Sequence, residues 1–138
     1  MRGNLNGDAL VVLDTPAMVM WLSGHGTLSS SIRERIEREL GAGALAISVI
    51  SILEASQYVD SGRLKLSVDK RRWLSTLASI DGLQVVPVDM AITVRAASFP
   101  AELDLNMRLI AATAITVNAV LVTPNEHLRA LVYGESIW

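Results

Sequence analysis

The run Val11-Val12-Leu13-Asp14-Thr15-Pro16-Ala17 constrains this chain more than any other stretch. A short apolar run with no polar alternation predicts a strand covered on both faces, as in a parallel sheet. It ends abruptly in one carboxylate, then a threonine and a proline. Thr15 is read as an N-cap and Pro16 as the first turn of a short helix over 17–22. In an open α/β sheet the ligand site lies beyond the carboxyl ends of the strands. Asp14 is therefore expected at that rim, near Glu54 and a few later polar groups, around a divalent cation.

The rest of the chain repeats the alternation of strand and helix. Strands are predicted over 45–49, 83–86 and 120–122, with a last short one over 135–138 at the sheet edge. A helix is predicted over 29–40, where Ile32, Ile36 and Leu40 share one face. Its charges, Arg33 to Glu39, are read as a solvated surface with i,i+4 pairs. Gly41 and Gly43 end it.

Ser51-Ile52-Leu53-Glu54 has the form of a capping box, which predicts a helix from Ser51 to about Asp60. That leaves Glu54 two readings: a carboxylate closing back on the cap, or a ligand at the rim beside Asp14. A helix over 69–80 is expected to turn Leu74, Leu77 and Ala78 inward. Asp89 is read as capping a helix over 90–98. Asp104 is read as the N-cap of a mostly apolar helix running to Val117, with Asn118 in the left-handed position. Thr123-Pro124-Asn125-Glu126 repeats the cap logic, with Thr123 as N-cap. Strands alternating with helices predict right-handed crossovers and an α/β fold, a three-layer α/β/α sandwich on a central parallel sheet. At 138 residues the whole chain, 1–138, is expected to form a single domain.

Composition excludes several classes. With 51% hydrophobic and 19% charged residues the chain is globular rather than disordered. A net charge of −2 supplies no global field for nucleic acid, so any RNA contact must use a local patch. Arg63, Lys65, Lys70, Arg71, Arg72 and Arg108 could serve phosphates, with solvated charge as the default. The absence of cysteine removes disulfides, thiolate zinc sites and cysteine nucleophiles, and fits a reducing cytoplasm. No signal peptide and no membrane span are expected. His25 and His127 are read as surface residues, and neither a P-loop nor G-x-S-x-G is present. The polar groups at the strand ends, Asp14, Glu54, Thr123 and Asn125, with Asp104 opening the helix before the fourth strand, are hard oxygen donors. They suit Mg²⁺ or Mn²⁺.

Val12 to Ala17 with Trp21-Leu22, Ile47 to Ser51 through Glu54, Ser61-Gly62-Arg63-Leu64, Arg108 to Ala114, Leu121-Val122-Thr123 and Ile137-Trp138, taken in order, resemble PIN-domain proteins, and VapC-type toxins of bacterial toxin–antitoxin pairs in particular. The resemblance spans about 11–138. It implies a cytoplasmic homodimer, a cognate antitoxin, and Mg²⁺- or Mn²⁺-dependent endonucleolytic cleavage of RNA. The family's acid cluster maps onto Asp14 and Glu54. Its third acid, one residue before the Arg-Leu-Ile-Ala-Ala run, falls on Met107, and its fourth on Asn125. Two of the four acids are thus replaced, with Asp104 nearby as a substitute metal ligand and Thr123 orienting the cluster. The alternative implied is a PIN domain that binds RNA or an antitoxin without cutting.

Overall fold

The computed structural model describes residues 10–24, 28–132 and 135–138. The readings made for Met1 to Asp8, His25 and Gly26 fall outside these residues.

Strands β1 (Val11–Leu13), β2 (Leu45–Ser48), β3 (Leu83–Val86), β4 (Val120–Val122) and β5 (Ser136–Ile137) form one parallel sheet in the order β3-β2-β1-β4-β5. Between them run α1 (Thr15–Ser23), α2 (Ser30–Gly41), α3 (Val49–Asp60), α4 (Lys70–Ala78), α5 (Met90–Ala97), α6 (Leu105–Thr116) and α7 (Glu126–Leu131). The expected α/β/α sandwich is therefore present.

The unbroken apolar strands follow from burial on both faces. Val11, Leu13, Leu45, Ile47 and Val122 pack under Ala17, Met18, Ile32, Ile36, Ala55 and Leu77 of α1 to α4. Val12, Ala46 and Leu121 pack on the opposite face against Ile110, Ala111 and Ala114 of α6 and Leu128 of α7. Each fully buried Val, Leu, Ile or Met among them contributes about 1.5–3 kcal/mol. The alanines explain why α6 looked apolar all round. Ala111 and Ala114 face the sheet, while Ala112 packs on Ile92 and Ala96 of α5. At Gly82, in the turn into β3, φ is +87° and a Cβ would stand 2.3 Å from the Leu40 carbonyl oxygen, so only glycine fits.

Several expectations are corrected. Asp14, not Thr15, is the N-cap of α1, its side chain accepting from the Ala17 amide. Ser48, not Ser51, caps α3, so Glu54 lies too deep in the helix to close a capping box. Asn125, not Thr123, caps α7. Each hydroxyl placed at a cap is used elsewhere, as described below. Glu39 is not on a solvated face: it is 1% exposed and accepts from Arg35 Nε at 2.9 Å and Arg38 at 3.3 Å. In α4, Ala78 is exposed, and Trp73 joins Leu77 against the core. β2 ends at Ser48, one residue early. Asp89 and Asp104 cap α5 and α6 as expected, Asp69 proves to be the cap of α4 rather than its first residue, and Asn118 has φ 57°.

Strand order reverses at β1. The chain passes from β1 to β2 on one side and reaches β4 on the other. A crevice opens beyond the strand ends at such a switch point. Leu13 pairs with Val122, so the next residues, Asp14 and Thr123, are neighbours on the rim.

Candidate active site

Asp14 follows β1 with extended backbone, and its amide donates to the Val122 carbonyl at 3.1 Å. Its side chain is fixed from two sides. Oδ1 accepts from the Ala17 amide at 2.9 Å, and Oδ2 accepts a short hydrogen bond from the Thr123 hydroxyl. Thr123 is itself buried, and its oxygen also accepts from the Asn125 amide at 3.0 Å. Burial pushes the Asp14 carboxyl up from 3.8 to about 6; Thr123 and Ala17 oppose this, and the charge of Glu54 adds to it.

Glu54 reaches the same place from α3. Its Oε1 accepts from the Thr15 hydroxyl at 2.5 Å, and that hydroxyl also lies 3.0 Å from the buried Ser51 hydroxyl. Ser51, one turn before Glu54, braces this contact rather than capping a helix. Among the described residues, no Lys, Arg or His forms an ion pair with Asp14 or Glu54. Two neighbouring carboxylates, one of them buried, thus stand without a countercharge.

The facing side is different in kind. Asp104 accepts from the Asn106 and Met107 amides at 3.1 and 3.3 Å, the duty of a helix cap. Asn125 Oδ1 accepts from the His127 and Leu128 amides. Its Nδ2 points to Met107 Sδ, 3.8 Å away. A cavity of about 80 Å³ lies between the two sides. Asp14, Glu54, Tyr58, Asp104, Met107 and Asn125 line it, with Pro16, Ile110 and Leu128 as apolar wall. At about 30 Å³ per water it has room for two or three. Larger hollows, of about 190 and 390 Å³, lie between α1 and residues 62–73 and carry no carboxylate.

The structure therefore brings Asp14, Glu54, Asp104 and Asn125 to one cavity, with Thr123 directly behind Asp14. It does not group Asp104 with Asp14 and Glu54 as a third ligand. Among the described residues no three His, Cys, Asp or Glu side chains are placed to share an ion. His127 is exposed. Sequence reasoning missed Tyr58, Thr15 and Ser51. The i,i+4 spacing of Glu54 and Tyr58 on α3 was the available signal for Tyr58.

Could these residues hold a divalent cation? Mg²⁺ keeps several waters and is often held by only one or two carboxylates plus substrate phosphates. Asp14 and Glu54 meet that requirement, and the missing countercharge fits it. Glu54 Oε2 accepts no hydrogen bond from a described residue, which leaves it open. Met107 offers a soft thioether and Asn125 an N–H, neither of which suits a hard cation.

A parallel sheet in this order, with a carboxylate beyond the central strand and another on the helix after the second, defines a class of proteins. The PIN domain family model matches residues 11–132, and the chain belongs to that family. It is 30% identical over 122 residues to Ribonuclease VapC22 of Mycobacterium tuberculosis, covering 87% of this chain and 90% of that protein. Among solved structures, VapBC2 from Rickettsia felis bound to a promoter DNA fragment has a TM-score of 0.67 at 23% identity, covering 88% of this chain and 92% of that one. A toxin–antitoxin complex from Klebsiella pneumoniae has a TM-score of 0.64 at 20% identity, covering 93% and 96%. At these identities the structural likeness is one of fold. No helix among the described residues is long and apolar enough to cross a membrane.

Proposed function

We propose that this chain, as one PIN-like domain over 1–138, is a VapC-type toxin that cuts RNA endonucleolytically with Mg²⁺ or Mn²⁺. The observation that carries this reading is the Asp14–Glu54 pair: two carboxylates at the switch point, each held by a threonine and neither neutralised by the protein. Such a pair would hold the cation, which when bound lowers the pKa of water and stabilises charge on phosphate.

The side chains have separable duties. Thr123 donates to Asp14 and fixes its orientation. Thr15 does the same for Glu54 and leaves the second carboxylate oxygen facing the ligand. Outer contacts of this kind typically change metal affinity or activity by about 10–100-fold. Asn125 starts α7 and shapes the cavity wall, while Asp104 caps α6 through Oδ2. The apolar wall limits water at the reacting phosphate.

The reading also includes a cytoplasmic homodimer and a cognate antitoxin that covers the site. Met90 and Val94 of α5 and Leu105 of α6, 76%, 62% and 56% exposed, are apolar side chains that a second copy would cover, which supports that part of the reading. Light scattering showing a monomer would remove that part. The function itself is tested by incubating the purified chain with structured RNA and Mg²⁺ or Mn²⁺. Internal cuts that stop with chelator and with Glu54→Gln are expected. Cutting that persists in chelator would defeat the reading.

A further inference from the structure

The turn that ends α3 places a cation beside the carboxylate cavity. Ser61 caps the helix, Gly62 takes φ 80°, and the amides of Arg63 and Leu64 both donate to the Tyr58 carbonyl, at 2.8 and 3.0 Å. Leu64 is buried, which anchors the reversal. The result is that the Arg63 guanidinium carbon lies 4.0 Å from the centroid of the Tyr58 ring. This is a close cation–π stack.

Tyr58 and Arg63 bridge two spaces. Tyr58 lines the cavity with Asp14 and Glu54. Arg63 lines the neighbouring hollow of about 390 Å³, with Gly62 and Lys65 and with Val19 and Met20 of α1. The phenol senses both sides: burial raises its pKa, as do the charges of Glu54 and Asp14, while Arg63 opposes them. Arg63 is exposed and pairs with no carboxylate among the described residues. The ring holds the guanidinium in place, and its remaining N–H groups can reach a phosphate. A side chain ordered in advance loses less entropy on binding.

We propose that Arg63, held by Tyr58, is a substrate-positioning residue that binds a backbone phosphate of single-stranded RNA next to the one at the Asp14–Glu54 pair, with the strand continuing along the hollow past Lys65. This rests on the ribonuclease reading and deepens it. A polyanion approaching two uncompensated carboxylates is repelled, and a fixed cation one residue pair away offsets that repulsion at the point of entry. Tyr58 acts through Arg63, which lies over its ring and hydrogen-bonds its phenol.

The test uses the full chain carrying Asp14→Asn, so that RNA is bound but not cut. Fluorescence anisotropy reads its affinity for a labelled single-stranded oligoribonucleotide of mixed sequence over a range of salt. Arg63→Ala should weaken binding about 10-fold at low salt. It should also flatten the dependence of log K on log salt by about 0.7, the loss of one phosphate contact to a single strand. Arg63→Lys should restore the slope and part of the affinity. In the cutting-competent chain, Arg63→Ala should raise KM and leave kcat within about twofold, the pattern of lost uniform binding. A purely structural stack at the end of α3 would move the melting temperature but neither the slope nor KM. If the Asp14→Asn chain binds RNA, the native chain cuts it, and Arg63→Ala leaves affinity and slope unchanged, this inference is overturned and the ribonuclease reading stands. If the Asp14→Asn chain binds no RNA and the native chain cuts none, both fall.

Discussion

The two walls of the cavity were built by different rules. On the side of α1 and α3, Asp14 and Glu54 are charged side chains with a threonine assigned to each. On the side of α6 and α7, Met107 and Asn125 are neutral and touch each other, while Asp104 and Asn125 each commit one oxygen to a helix start. The difference separates two jobs that a carboxylate can do at a helix N-terminus. Asn and Asp are about equal as caps, so α7 starts as well with Asn125 as it would with an acid. Asn125 does this without a charge, and charge is what a cation requires. The α6 and α7 wall thus starts both helices while Asp104 is its single charged side chain at the cavity.

The largest effect expected from breaking this asymmetry is at Asp14. Asp14→Asn removes the buried charge and should lower the RNA cleavage rate by at least about 1,000-fold, the scale of losing a central electrostatic group. It should also make the protein more stable. The folded-state value of about 6 lies above the ordinary 3.8, so the native state holds the proton more tightly. Ionised Asp14 therefore costs stability above pH 6, by up to about 3 kcal/mol. The cost fades as pH falls from 6 through 3.8. Melting curves of the two proteins should differ at pH 7.5 and converge near pH 4. Added Mn²⁺ should raise the melting temperature of the native chain and not that of the variant.

Next in size is Thr123→Val, which deletes the donor to Asp14 Oδ2 and should reduce activity about 10–100-fold. Thr15→Val should do the same through Glu54, and equal losses would show that both carboxylates need their threonine. Met107→Asp sharpens the comparison from the other wall. It adds an oxygen ligand where a thioether stands, and calorimetry should find Mn²⁺ bound about 10-fold more tightly, at some loss of stability from placing a charge where Met107 packs on the core. The smallest effect is expected from Asn125→Asp alone: a change in stability within about 0.5 kcal/mol, because the cap is retained.

Much of this was legible in the sequence. The strand pattern, the parallel sheet and the position of Asp14 followed from unbroken apolar runs ending in single polar residues. Asp89 and Asp104 could be read as caps because each stands directly before an apolar helical run. Thr15, Ser51 and Thr123 were misassigned for the opposite reason. Each stands near a helix start, as a cap would, yet its hydroxyl serves another segment: Thr15 and Ser51 interact across 36 residues, and Thr123 reaches Asp14 across 109. Local pattern cannot show a partner that distant. Glu39 was missed similarly, since its burial depends on how α2 lies on the sheet. Tyr58 and Arg63 came together only through the left-handed turn at Gly62.

The most direct test compares RNA cleavage with Mg²⁺ or Mn²⁺ by three proteins: the native chain, Asp14→Asn, and the pair Met107→Asp with Asn125→Asp. If the Asp14–Glu54 wall suffices for chemistry, the native chain cuts, Asp14→Asn does not, and the double variant cuts at lower cation concentration. Cutting by the double variant alone would contradict this, leaving the native chain a PIN domain that binds without cleaving.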